Sequence, residues 1–135
     1  MSVTKVLIVE NEADLGTVWQ GYLRGQGCDV VLTTGAEAAI LHLRENPVDV
    51  LVVNLVLPTG GAMAIADFCG YRWPQAKVIF VTNTTFFSDG SIFQHCGNAA
   101  ALLRTDATPE DLGAIVEHCA RPPSDPHPSL KLVNS

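Results

Sequence analysis

The stretch "VDVLVVNLVLPTGG", residues 48–61, decides the fold. Its run of Val and Leu reads as a strand buried on both faces, running into a loop. Asn54 ends that run. It is a polar, uncharged, non-nucleophilic amide placed where strand meets loop, and its purpose there is the question the sequence poses.

Working outward, four more runs read as buried strands: "KVLIV" (5–9), "CDVVL" (28–32), "AKVIFVT" (76–82) and "AAALL" (99–103). Helical patterns alternate with them. In "NEADLGTVWQGYLRGQG" (11–27), Leu15, Val18, Trp19 and Tyr22 recur at three- and four-residue steps, the mark of one helix face. Asn11 is placed to cap its start, and Gly25 and Gly27 to end it. "TGAEAAILHLREN" (34–46) opens with Thr34 and Glu37 in capping-box spacing and carries Ala36, Ile40 and Leu43 on one side. Pro47 stops it. "GAMAIADFCGYR" (61–72) is a third helix, rich in small residues, and "DGSIFQHCG" (89–97) a short, weak fourth. "TPEDLGAIVEHCA" (108–120) is the clearest: Thr108 caps it, Pro109 takes the first turn, and Glu110 and Asp111 sit at the positive end of the dipole. Leu112, Ile115, Val116 and Cys119 form its apolar stripe. Strands alternating with helices give a parallel sheet covered on both faces, and right-handed crossovers leave few ways to wind it.

The 135 residues are 47% hydrophobic, enough for one domain with a real core. No apolar run approaches the roughly 20 residues of a membrane span, and "MSVTKVLIVE" lacks the order of a signal peptide. The net charge of −6, with scattered acids, argues against nucleic acid as a partner. Cys28, Cys69, Cys96 and Cys119 form no C-x-x-C and read as reduced, mostly buried thiols of a cytoplasmic protein. His42, His95, His118 and His127 show no ligand spacing, so no metal site is expected from them. Trp19 reads as core and Trp73 as a loop anchor. After residue 120, "RPPSDPHPSLKLVNS" holds four of the eight prolines and reads as a tail or linker, which divides the chain into a domain over 1–120 and a tail over 121–135.

Ligands and chemistry on such sheets sit at the carboxyl ends of the strands. Here those ends bring Glu10, Asn11, Glu12, Asn54, Thr82 and Arg104 toward one rim.

With these strand ends in register, and with "LPTGG" after the third strand, the chain resembles the receiver domain of bacterial two-component response regulators over about residues 4–120. The resemblance implies a flavodoxin-like (βα)5 fold, a doubly wound parallel five-stranded sheet of order 2-1-3-4-5. In that family the first strand usually ends in two acids. The third ends in the aspartate that accepts a phosphoryl group from a histidine kinase. Thr or Ser ends the fourth strand, and Lys followed by Pro ends the fifth.

The departures are informative. The phospho-acceptor position is Asn54, and the acid pair is Glu10-Asn11. The lysine position is Arg104, followed by Thr105 rather than Pro, and the fifth-strand aromatic is replaced by Ala101. Thr82 matches the usual pattern. An amide cannot form the acyl phosphate. Mg²⁺ is usually held by one or two carboxylates, and the family's metal positions are neutral at Asn11 and Asn54. Glu10, even with Glu12, is expected to bind it weakly or not at all, so no cofactor or metal is expected. With Ala101 the aromatic that moves together with the Thr in the family is missing too. The sequence therefore reads as a degenerate receiver, a pseudo-receiver.

The leading expectation is a non-enzymatic module that binds partners without phosphorylation. A histidine kinase or another signalling protein would dock over about residues 90–120, and a second copy of the chain is an admissible partner. Two alternatives stand beside it. One is a working receiver, either with Asp→Asn engineered at position 54, against which the other departures in the same pocket weigh, or with an alternative acceptor at Glu10 or Glu12, whose geometry is poor. The other is a small-ligand or flavin binder, disfavoured because "VENEADL" (9–15) lacks a phosphate-cradling composition. Simpler roles also exist: Asn11 as a helix cap, Thr82 satisfying a backbone group, Arg104 in a structural ion pair. Of Phe86 and Phe87, one is expected to cover the vestigial pocket and the other to be exposed. Because an unpaired charge in such a pocket is costly, Arg104 is expected to reach Glu10 or Glu12, or to hydrogen-bond Asn54, in place of the missing cations.

Overall fold

The structure is a computed structural model that describes residues 3–55, 57, 61–82, 99–104 and 107–120. Five strands form one parallel sheet: β1 (Lys5–Val9), β2 (Asp29–Thr33), β3 (Val50–Asn54), β4 (Lys77–Thr82) and β5 (Ala99–Arg104), in the order β2-β1-β3-β4-β5. Among the described residues the helices are α1 (Ala13–Gly25), α2 (Ala36–Glu45), α3 (Ala62–Arg72) and α4 (Pro109–Ala120). This is the expected flavodoxin-like winding. The expected helix over 89–97, the aromatic pair Phe86–Phe87 and the tail over 121–135 lie outside the described residues.

Alternation along the strands splits the core in two. Leu7, Val9, Leu51, Val53, Val78 and Phe80 face α2 and α3, meeting Ala39, Leu43, Ile65 and Cys69. Val6, Ile8, Val50, Val52, Ile79 and Val81 face α1 and α4, meeting Trp19, Leu23, Leu112 and Val116. The central strands β1, β3 and β4 are buried on both faces, which is why they read as unbroken apolar runs. Trp19 is core, as expected. Trp73 is an anchor: its indole Nε1–H donates to the carbonyl of Leu43 at 2.7 Å, and the Arg72 guanidinium lies 4.1 Å over its ring.

Three local expectations are corrected. Val18 is 53% exposed and does not share the buried face of α1. At 100° per residue, Leu15, Trp19, Tyr22 and Leu23 cluster about Trp19, whereas Val18 stands a full 100° to one side. Asn11 does not cap α1: the cap position is Glu12, and its side chain makes no cap hydrogen bond. Thr34 does not close a capping box on α2 either, because the cap position is Gly35, in extended backbone, with no side-chain cap. At α4, by contrast, Thr108 Oγ1 accepts from the N–H of Asp111 at 3.1 Å, as expected.

The end of α1 follows its glycine signal. Gly27 has φ +94°, its N–H donates to Arg24 O at 3.0 Å, and the N–H of Cys28 donates to Leu23 O at 3.1 Å. That pair of bonds is a Schellman closure, and the left-handed residue inside it favours glycine. It turns the chain directly into β2. Between α1 and α4 the approach is close: a Cβ on Gly113 would lie 2.6 Å from Tyr22 Cε2.

Candidate functional site at the carboxyl ends of the strands

The register builds the site. Val9 of β1 pairs with Val53 of β3, so the next residues, Glu10 and Asn54, stand side by side where the strands end. Asn54 in turn pairs with Val81 of β4, and Thr82 pairs with Arg104 of β5. The Leu55 N–H continues the ladder past Asn54 by donating to Val81 O at 2.7 Å.

Glu10 is fully buried. Its backbone N–H donates to Thr33 O of β2 at 3.0 Å, which fixes the chain as it leaves β1. Its carboxylate accepts from two sources. Asn54 Nδ2 lies 3.0 Å from Oε1 and 3.0 Å from Oε2. The backbone N–H of Glu12 donates to Oε2, also at 3.0 Å. These are charge-assisted bonds, stronger than neutral ones. Among the described residues no buried side-chain nitrogen or oxygen lacks a partner.

Asn11 and Glu12 are exposed. Released from the cap position, Asn11 turns its amide oxygen toward the site, where Asn54 Nδ2 approaches Oδ1 at 3.5 Å, a long contact. Glu12 contributes its backbone N–H, and its carbonyl accepts the Gly16 N–H at 3.0 Å, starting α1.

On the far side, Thr82 is buried at 2% exposure and Arg104 is exposed at the end of β5. Ala101 is half-buried on the α1/α4 face, opposite Ile79. Of the partners expected for Arg104, which are Glu10, Glu12 and Asn54, the Glu10 carboxylate takes its described hydrogen bonds from Asn54 and the Glu12 N–H instead. The reason is topological. β3 lies next to β1, whereas β5 is three places from β1 in the sheet, so the amide reaches the charge first.

Of the six residues expected at one rim, Glu10, Asn11 and Asn54 meet through their side chains, and Glu12 joins them through its backbone N–H. What sequence reasoning missed is that Glu10 is buried and that Asn54 is its donor. The adjacency of strands one and three in a 2-1-3-4-5 order is the signal that would have found it. Among the described residues no cluster of three or more His, Cys, Asp and Glu is arranged to hold a metal ion. Cys28 and Cys119 are half-buried free thiols, and burial pushes both up from the ordinary thiol value.

No family model matches the sequence. No curated protein matches it either. Solved structures do. A CheY-like response regulator receiver domain protein from Methanospirillum hungatei is 17% identical, with a TM-score of 0.78 over 87% of this chain and 93% of its own. The chemotaxis response regulator CheY4 of Vibrio cholerae is 16% identical, with a TM-score of 0.78 over 87% of this chain and 99% of its own. A response regulator protein from Burkholderia pseudomallei, solved with a phosphorylated aspartic acid, a calcium ion and citrate, is 13% identical, with a TM-score of 0.77 over 96% of this chain and 70% of its own. At such identities the likeness speaks to architecture: the chain has the fold of response-regulator receiver domains.

Proposed function

We propose that the chain is a receiver-type module of two-component or phosphorelay signalling that works without being phosphorylated, as a non-enzymatic protein–protein interaction domain. The observation that carries this reading is Asn54 at the end of β3, its NH₂ committed to the buried Glu10 carboxylate. An amide oxygen is too weak a nucleophile to take a phosphoryl group. The Burkholderia neighbour holds a phosphorylated aspartic acid; this chain offers an amide at its third strand end.

The donor set does not suit Mg²⁺. A hard cation wants carboxylate and other oxygen ligands, whereas both Glu10 oxygens face the NH₂ of Asn54. Asn11 offers only a neutral amide. The module is therefore read as cofactor-free. Its partner would be a protein, a histidine kinase or another signalling protein, docking over about residues 90–120. The described part of that surface is β5 and α4, which present Arg104, Glu110, Asp111 and Glu117 to solvent. A cytoplasmic location suits this role, and among the described residues no helix is long and apolar enough to cross a membrane.

The test is intact-mass measurement after incubation with acetyl phosphate and Mg²⁺. No gain is expected, and a stoichiometric gain of one phosphoryl group overturns the reading. Asn54→Asp alone is expected to remain a poor acceptor, because Asn11 leaves the site short of charge. Asn54→Asp combined with Asn11→Asp is expected to bind Mg²⁺ better than either single change. Phosphorylation of the Asn54→Asp variant at the rates of ordinary receivers would show that the pocket as a whole is not degenerate.

A further inference from the structure

Asn54 Nδ2 stands 3.0 Å from each oxygen of the Glu10 carboxylate. A donor equidistant from both oxygens lies on the bisector of the carboxylate, on its open side. That is where a cation chelated by both oxygens of one carboxylate would sit. The Glu12 N–H takes a further site on Oε2 at 3.0 Å. The carboxylate is buried within the protein, so its charge must be met from the protein or by a bound ion.

We infer that the Asn54 amide occupies the cation seat of Glu10 and serves as its built-in counterpart, joining the ends of β1 and β3 without an ion. Any divalent cation chelated by Glu10 would have to displace the NH₂ group. It would then face the amide dipole's positive end rather than a second carboxylate. The covalent link between donor and strand also makes the join permanent, whereas an ion comes and goes with its concentration. This goes beyond the signalling role and does not rest on it: it is a statement about what holds two strand ends together.

Replacing Asn54 by a carboxylate tests the idea from the opposite direction. Two carboxylates at this separation repel in a buried site and need a cation or a shared proton. The amide is the one isosteric group that keeps the shape and reverses the sign of the contact.

The experiment is thermal unfolding of the full chain in EDTA and in millimolar MgCl₂, at matched ionic strength, for the wild type, Asn54→Asp and Asn54→Ala. The wild-type midpoint is expected to be the same in both buffers. A rise of several degrees with Mg²⁺ overturns the inference, and this arm needs no variant to fold. In EDTA, Asn54→Ala is expected to melt about 5–10 °C lower, the scale of losing a hydrogen bond to a buried charge in a domain of this size. Asn54→Asp is expected to melt lower in EDTA and to regain part of the loss with Mg²⁺. A variant of either kind as stable as wild type in EDTA overturns the inference. Adding Glu10→Gln to Asn54→Ala separates the cause: with the charge gone, the penalty of the alanine is expected to shrink. An undiminished penalty would mean that Asn54 acts through packing. Phosphoryl transfer is not read out in any arm, so the proposed signalling role stands or falls separately.

Discussion

Asn54 and Arg104 end two strands of the same sheet, with β4 between them, yet their surroundings differ. Along β3 every residue before Asn54 is buried, and Asn54 closes a hydrogen-bonded cluster with the strand beside it. Along β5 the residues Ala99 to Leu103 are all half-buried and Arg104 is exposed. The helices next in sequence differ too. The helix leading into β3, α2, begins without a side-chain cap, while the helix following β5, α4, is capped by Thr108. The centre of the sheet is held by packing and by the hydrogen bonds around the buried Glu10 carboxylate. The β5 edge begins with three alanines and buries less of each side chain. The buried carboxylate of the site therefore belongs to the fully packed centre of the sheet, and the exposed cation Arg104 to its half-buried edge.

Truncating the core in each region gives the largest contrast. Leu51→Ala in β3, at a fully buried position, is expected to cost about 2–5 kcal/mol. Leu103→Ala in β5, half-buried, is expected to cost about 1 kcal/mol because less apolar area leaves water there. Urea unfolding of both variants measures the gap, and equal losses would erase the distinction between centre and edge.

The helix starts give a smaller one. Thr108→Ala should lose about 1 kcal/mol, the usual worth of a side-chain cap. Thr34→Ala, at an exposed residue that caps nothing, should stay within about 0.5 kcal/mol of wild type. Equal losses would mean that α2 depends on its entry residue after all.

At the exposed strand end, Arg104→Ala is expected to change stability by no more than about 0.5 kcal/mol. A loss several times larger would place Arg104 in the support of the site beside Asn54.

Thiol chemistry separates the two faces most finely. On the α1/α4 face, burial pushes the Cys119 thiol up, with Lys77 drawing it partly back. Alkylation of Cys119 should thus be slower than that of a free thiol at pH 8 and still be rising above pH 9, as the thiolate fraction grows. Cys69 on α3 is fully buried and should label more slowly still. Peptide mapping after timed alkylation reads both, and faster labelling at Cys69 would reverse the order of protection.

The strands are legible because buried parallel strands leave unbroken runs such as "VLIV" and "VLVV", and the strand order is the one that the resemblance implies. The Thr108 cap was legible because the proline and acids after it point the same way. The misreadings share a cause. Thr34 with Glu37 fits a local pattern, but the chain enters α2 one residue later, at Gly35, in extended backbone. Asn11 has the chemistry of a cap, yet the loop after β1 turns its amide toward Asn54. Val18 matches a three-residue step, but the buried face is centred on Trp19. At the site, residue identities were enough to name Glu10 and Asn54 and not enough to pair them. Sheet order decides the pairing: the short Asn54 amide meets Glu10 from the neighbouring strand, whereas Arg104 ends a strand three places from β1.

One detail at the opposite end of the molecule bears on how the protein comes apart. The last residues of α2 leave carbonyls with no partner inside the helix. Those of Leu43 and Arg44 are met from the end of α3, by Trp73 Nε1–H at 2.7 Å and Arg72 Nε–H at 3.1 Å. Neither helix can fray at that end without disturbing the other. In native-state hydrogen exchange the closing turns of α2 and α3 should therefore open in a single event with one free energy, a shared unit of local unfolding rather than two independent ones.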